Sequence, residues 1–447
     1  MPAVTLATAQ VGLSFEEVVR TLTLRAGFNT NTVIAGTTLL GLAAGVIGVF
    51  AMLRKRALVT DALSHATLPG IALAFLAAGW LGASGRSLPV LLVGAAATGV
   101  LGVVCIQAIL KHSRLHEDAA IGIVLSVFFG AGIVGFSYIQ ANAADNAAGL
   151  DGFIYGQAAT MRPPDVLLMA GIAAAGVAAS LLLLKEFALV CFNDAFARVD
   201  GWPVGVIDML MMALVVTVTV AGLQAVGLIL VVAMLIIPPV AARFWTDRLW
   251  LLVMIAGGIG ALSGYLGAVV SALLPRKPAG SIIVLTAGGI FAISLLAAPA
   301  RGAIASAVRR ITLRLRIAGD HLLESAHAHG DGALDAGAID GLARERAWSR
   351  PFRRIVLTSL RRTGMIERDR ARGVAATEAG RRRGARVARN HALWEQYLVS
   401  YADVAPGHVD WSADQIEHIL SDELIAELEH QLARRGVRMP GGKGATA

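Results

Sequence analysis

Asp61 and His65 stand four residues apart in Leu58-Val59-Thr60-Asp61-Ala62-Leu63-Ser64-His65-Ala66-Thr67-Leu68-Pro69-Gly70. On a helix, positions i and i+4 lie one above the other, so a carboxylate and an imidazole would face one point. Both stand at the start of a long apolar run, where ionisable groups are expensive and mark function. A carboxylate with an imidazole is a partial shell for Mn2+, Fe2+ or Zn2+, and ligand type alone does not choose among them. The same spacing also suits an aspartate capping a helix, with His65 as its hydrogen-bonded neighbour near an interface.

Similar spacing recurs near the other end. His391 and Glu395 are i, i+4, while Asp414, Glu417 and His418 are i, i+3 and i+4. Each set falls on one helix face. Two such helices packed together could surround a divalent ion with nitrogen and oxygen donors and no thiolate, a set that suits Mn2+ or Fe2+. Two amphipathic helices with ordinary ion pairs would leave the same pattern.

The elements that position these residues differ in kind. Of 447 residues 56% are hydrophobic and only 16% charged, with a mean hydropathy of +0.67. This excludes a single large soluble enzyme, a disordered chain and a collagen-like one. Apolar runs near 31–53, 63–83, 88–110, 119–139, 166–184, 205–222, 225–242, 249–274 and 279–299 predict an all-α polytopic membrane protein of about nine helices. Gly41/Gly45 and Gly260/Gly264 have the spacing of close helix packing. Cys105 and Cys191 lie in or beside apolar runs without a Cys-x-x-Cys, so neither a disulfide framework nor a thiolate zinc site is expected. Residues 1–30 carry Glu16, Glu17, Arg20 and Arg25 and no long apolar core. They read as an amphipathic segment against the membrane, not a cleaved signal.

Charge divides the chain. Residues 301–447 hold 24 of the 39 Lys and Arg, 18 of the 31 Asp and Glu, and seven of the ten His. A membrane domain over 31–300 thus meets a basic soluble part. Basic loops at Arg54-Lys55-Arg56, Lys111/Arg114, Lys185/Arg198 and Arg243/Arg248 alternate onto one side, which the positive-inside rule makes cytoplasmic. Arg86 and the Asp145/Asp151 loop fall on the other side, and Arg276-Lys277 is a misfit. Nine spans place the N-terminus outside and the C-terminal domain in the cytoplasm.

In the soluble part, 301–330 reads as a connecting helix, with Arg309, Arg310, Arg314 and Arg316 suited to anionic lipid, and His327-Ala-His329-Gly-Asp-Gly as a loop. Over 331–390 the pattern is helix, turn, helix, hairpin: a winged helix. Thr377 is placed to cap the basic helix from 378 to 399. Arg350, Arg353, Arg354, Arg361 and Arg362 on the second helix could read DNA, or form a solvated or protein-facing surface. The helical region 391–440 and a tail at 441–447 complete the division.

The stretch 54–76 resembles the signature of the manganese/zinc/iron permeases of ATP-binding-cassette (ABC) importers. Ala225-Val-Gly227 through Pro238-Pro239-Val-Ala-Ala is similar to that family's glycine-to-proline segment. Phe192-Asn193-Asp194-Ala-Phe-Ala197-Arg-Val-Asp-Gly201 is similar to its cytoplasmic Asp…Ala…Gly loop. Asn193 departs from the family's usual Asp after Phe, and Pro239 from a small residue. The resemblance covers roughly 15–300. It implies a multi-pass permease in a bacterial-type cytoplasmic membrane that moves a divalent metal inward, manganese first and zinc or iron next. Asp61 and His65 would contact the ion, and Asp194, Ala197 and Gly201 would dock a separate ATPase. The implied partners are that ATPase, an extracytoplasmic metal-binding protein and a second permease subunit, the same or different. No Gly-x-x-x-x-Gly-Lys-Ser/Thr occurs, so ATP hydrolysis is expected on another polypeptide and this chain is not expected to be an enzyme.

Asn390-His391-Ala-Leu-Trp394-Glu395-Gln-Tyr-Leu-Val and Ile416-Glu417-His418-Ile-Leu-Ser421-Asp422-Glu resemble the metal-binding and dimerisation region of diphtheria-toxin-repressor-type regulators, over roughly 318–440. This resemblance implies metal-ligand positions at His391, Glu395, Asp410, Asp414, Glu417 and His418, with further candidates at His321 and Glu324. It implies a cytoplasmic metal sensor fused to the permease. Among other classes, a membrane-tethered metal-dependent DNA-binding regulator is the alternative. An intramembrane metalloprotease would lack its His-Glu-x-x-His.

Overall fold

The computed structural model describes residues 15–54, 57–81, 88–142, 161–274, 278–330, 332–369, 373–401 and 422–434. The chain divides into two compact units, Met1–Ala305 and Ser306–Ala447.

Among the described residues, the regular elements of the first unit are all helices. A short amphipathic α1 (Phe15–Leu22) precedes α2 (Phe28–Leu53). Then come α3 (Ala57–Ala66), α4 (Leu68–Trp80), α5 (Leu88–His112) and α6 (Glu117–Asn142). After them follow α7 (Pro163–Leu182), α8 (Leu184–Phe192), α9 (Asp194–Val199) and α10 (Val204–Val226). The unit's last complete helices are α11 (Leu228–Arg243), α12 (Leu249–Leu273) and α13 (Ala279–Ala297).

Among the described residues, eight helical stretches are long and apolar enough to cross a membrane. The expected run at 225–242 is α11, a helix of 16 residues that begins after Gly227, whose φ is +81°. The about nine apolar runs are therefore eight long helices and one short one. The second run also differs from expectation. It extends from Leu58 to Trp80 but breaks at Thr67 into α3 and α4. Pro69 has no N–H to offer the carbonyl of His65, and the Thr67 hydroxyl donates to Ser64 O at 2.7 Å.

Helix α2 is the centre of this unit. Some 72% of its apolar window is buried, against 17% for α13, so α13 is peripheral. Lipid supplies no hydrophobic drive between helices, so close van der Waals approach must hold them. The glycine pairs provide it. A methyl on Gly260 of α12 would stand 2.0 Å from the carbonyl oxygen of Gly41 of α2, and one on Gly45 2.3 Å from Ala256 O. Thr37 donates across the same seam to Gly264 O at 3.2 Å.

The second unit begins within α14 (Ala303–Ala328), which extends through His327 where the sequence suggested a loop. Then come β1 (Ala333–Leu334), α15 (Ala336–Glu345), α16 (Arg350–Arg362), β2 (Ile366–Asp369), β3 (Gly373–Ala376), α17 (Glu378–Tyr401) and α18 (Asp422–Arg434). The strands form an antiparallel sheet in the order β1-β3-β2, with Ile366 opposite Ala376 and Leu334 opposite Val374. Two helices and a hairpin sheet make the expected winged helix. Asp335 caps α15 through Ala338 N at 2.7 Å, and Thr377 caps α17 through Gly380 N at 3.2 Å. Leu322, Leu323, Leu334, Val356, Ile366 and Val374 belong to its core.

Helices α14 and α17 are held by charge. Arg383 forms a bidentate pair with Asp320, Nε–Oδ1 2.9 Å and Nη2–Oδ2 2.8 Å, and Asp320 is buried. Hydrogen bonding to Asp320 raises the Arg383 guanidinium above its ordinary value. A raised pKa contributes stability that is lost only as pH climbs past the folded value. On the arginine side, this pair is therefore insensitive to pH across the physiological range.

The seam makes a direct prediction. Gly260→Ala forces the Cβ into the α2 backbone and should lower stability by about 1–3 kcal/mol. Gly258→Ala, where nothing lies within 4 Å of the new Cβ, should be neutral. Thermal unfolding of the two variants in detergent compares them directly.

Candidate functional site

Asp61 and His65 lie on α3 and face one another, with Asp61 Oδ1 3.6 Å from His65 Nε2. That separation is longer than a hydrogen bond, so the two donors flank a point without closing on each other. The Asp61 side chain is 38% exposed and that of His65 19%. The edge of the His65 ring meets Phe129 of α6, with centroids 4.9 Å apart and planes at 81°. Its Nδ1 is buried without a hydrogen-bond partner among the described residues. Thr60 and Ser64 are buried on the same short helix, and Thr67 is buried just beyond its end. Thr60 O accepts from Ser64 Oγ at 2.9 Å. The Ser64 and Thr67 hydroxyls are thus turned onto their own backbone.

Among the described residues, no three His, Cys, Asp or Glu side chains gather closely enough to hold an ion together. Asp61 and His65 therefore stand as two potential donors, with no third such side chain gathered beside them among the described residues.

The Asp194–Gly201 segment, read as a loop, is largely helical. Helix α9 starts at Asn193, whose Oδ1 accepts from Phe196 N at 2.9 Å. Asn caps a helix as well as Asp does, so the departure at 193 costs nothing at this position. Ala197 is fully buried, and Gly201 takes φ +85° where the helix closes, with Trp202 N donating to Ala197 O at 2.9 Å. A small residue at 197 and a left-handed one at 201 are what this turn demands. Asp194 pairs with Arg198 at 3.1 Å on the exposed side.

Arg54 is the residue that sequence reasoning missed. Its position in Arg-Lys-Arg suggested only a charge for the positive side. Instead its guanidinium folds inward, with Nε 3.2 Å from Asp208 Oδ1 of α10 and Nη1 3.0 Å from the carbonyl of Val190 of α8. Nη1 also stands 4.0 Å from Asp194 Oδ2 of α9. One side chain therefore ties the end of α2 to three later helices. The available signal was Asp208, a lone carboxylate four residues into the apolar run 205–222.

The C-terminal candidates are only partly placed. His391 is half-buried and Glu395 exposed on α17, one turn apart. Asp410, Asp414, Glu417 and His418 lie outside the described residues. His321 is buried on α14, with Nδ1 3.9 Å from Glu324 Oε2. Arg389 of α17 pairs with Glu429 of α18 at 2.5 Å.

Residues 28–298 match the sequence model of the ABC 3 transport family. The chain belongs to that family. Residues 377–442 match a second one, described as iron dependent repressor, metal binding and dimerisation domain. The manganese transport system membrane protein MntC of Bacillus subtilis (strain 168) is 40% identical over 84% of this chain and 86% of its own length. That alignment spans 377 residues, more than the permease match alone, so it reaches into the second unit. The zinc transport system membrane protein TroC of Treponema pallidum (strain Nichols) is 41% identical over 63% of this chain and 93% of its own. Among solved structures, PsaBC from Streptococcus pneumoniae in complex with Fab superposes with a TM-score of 0.56 at 30% identity. It covers 64% of this chain and 98% of that one. The chain is a multi-pass membrane permease of the ABC 3 type carrying a repressor-like C-terminal domain.

Removing Arg54 deprives a buried Asp208 of its guanidinium. Arg54→Met should destabilise this ABC 3 permease by about 1–3 kcal/mol, the loss of a hydrogen bond between charged groups. Combining it with Asp208→Leu should cost less than the sum of the two single changes, because the Arg54–Asp208 contact can be lost only once. A double-mutant cycle on thermal unfolding in detergent reads the coupling.

Proposed function

We propose that this chain is the permease subunit of an ATP-driven importer that passes a divalent transition metal into the cytoplasm. Manganese is the first candidate cargo, and zinc or iron follows. The observation that carries the reading is the open Asp61/His65 pair on a broken apolar helix of an ABC 3 permease. The names of the relatives, which transport manganese and zinc, support the same cargo class.

In this reading Asp61 and His65 contact the ion, each replacing one water of its hydration shell. A carboxylate supplies charge, and an imidazole favours a transition metal over Ca2+ or Mg2+. ATP is hydrolysed on a separate subunit that docks at Asp194, Ala197 and Gly201. Its cycle opens and closes the route to either side. An extracytoplasmic metal-binding protein delivers the ion, and a second permease subunit completes the pathway.

The second unit lies in the cytoplasm and senses the imported metal. His391, Glu395, Asp410, Asp414, Glu417 and His418 are the proposed ligands, with His321 and Glu324 as further candidates. The two that fall within the described residues, His391 and Glu395, share a face of α17, as ligands to one ion require. Metal bound there lowers import by stabilising a closed transporter, which demands tighter binding to that state than to the open one.

Two measurements test these roles. Asp61→Ala and His65→Ala should each abolish most ATP-dependent accumulation of radioactive manganese while the protein still reaches the membrane. Wild-type uptake in both would remove the site assignment. Deleting 320–447 should raise accumulation at high external metal and leave it unchanged at low metal, and equal accumulation at both would end the feedback role.

A further inference from the structure

Helix α14 carries two different surfaces along one 26-residue rod. From Ala318 to Leu323, and again at Ala326, it is buried. Residues 303–317 have no buried position. Ile304, Val308 and Ile311 are 59%, 55% and 56% exposed. At the pitch of an α-helix these three fall with Ala307 on one narrow stripe, which ends at Leu315, half-buried against the core of the second unit. Arg310 and Arg314 flank one edge of that stripe, and Arg309 and Arg316 the other. Between 303 and 319 there is no Asp or Glu.

Each observation restricts what can cover this face. Fifteen residues of helix extend about 22 Å, too short to span a bilayer, and four arginines forbid burial in hydrocarbon. The stripe follows directly on an apolar span, because α13 ends at Ala297. Apolar stripes with this spacing can also zip two helices together. Here, however, both flanks are basic, so a paired copy would set like charges against one another. An anionic surface matches both features: the stripe enters the acyl boundary, and the arginines bury their stems while reaching phosphates.

We propose that residues 303–317 lie in the plane of the membrane surface, with Ile304, Val308 and Ile311 in the acyl boundary and Arg309, Arg310, Arg314 and Arg316 on anionic lipid headgroups. The assignment requires only that the chain is a membrane protein and is independent of the cargo.

The test uses the full chain with Cys105 and Cys191 replaced by Ala and a nitroxide at Ile311→Cys or, on the opposite face, at Leu313→Cys. The protein is placed in nanodiscs of phosphatidylcholine alone or mixed with phosphatidylglycerol. In the anionic discs the label at 311 should collide with oxygen and be protected several-fold from a water-soluble nickel chelate, while the label at 313 should show the reverse. Protection at 311 should fall several-fold in phosphatidylcholine alone, and likewise when the four arginines are changed to Gln. Nickel access at 311 in both lipids would overturn the docking. Equal protection in both would overturn the headgroup assignment. Dipolar broadening between two labels at 311, whatever the lipid, would give the stripe to a second copy of this helix. None of these readouts involves transport, so they stand apart from the fate of the import reading.

Discussion

A charge in an apolar interior must be partnered, hydrated or given a task, and the membrane unit is arranged around that constraint. The described part of this unit holds few ionisable groups away from its loops. Two of them, Arg54 and Asp208, neutralise each other where α2 meets α10. Two others, Asp61 and His65, face each other at a distance too long for a hydrogen bond. The first pair is closed and structural. The second is open, and it is the pair proposed to meet the ion. The same physics makes both pairs costly, but the guanidinium closes on its carboxylate in the first and the two groups stay unbonded to each other in the second.

The scaffold around the open pair follows from packing without a hydrophobic drive. Small residues let α2 and α12 approach until backbone meets backbone, and α2 thereby becomes the axis of the unit. Helix α3 leaves that axis immediately after Arg54 and carries Asp61 within its first turns. Because Arg54 also contacts Val190 and stands near Asp194, the segment at α9 and the helix bearing Asp61 and His65 are joined through one residue at the end of α2.

Much of this was legible in the sequence, and what was not had physical reasons. Apolar length and charge segregation give the helices and the soluble attachment, because both depend on composition over many residues. The facing of Asp61 and His65 follows from helical periodicity alone. The break at Thr67 was hidden inside a continuous apolar run, although Pro69 is its visible cause. The segment at 194–201 looked like a loop because six residues give too little periodicity to show a helix, while Asn193 and Gly201 were its readable cap and stop. Arg54 was illegible for a different reason. A basic residue after a span usually faces lipid headgroups, and only the fold reveals that this one turns inward to an aspartate 154 positions later.

The contrast between the two proposed metal sites is itself informative. A transport site with two protein donors binds weakly and exchanges its ion, because most of the shell remains water. A sensor with up to six donors would hold the same ion far longer. If both saw the same cytoplasmic pool, the sensor would fill at concentrations at which the pathway still turns over, which is the order that feedback on import needs. The reverse order would stall the pathway before the sensor responded. In this proposal donor number would set the sequence of events without any difference in ligand chemistry, since carboxylates and imidazoles are the proposed donors at both sites.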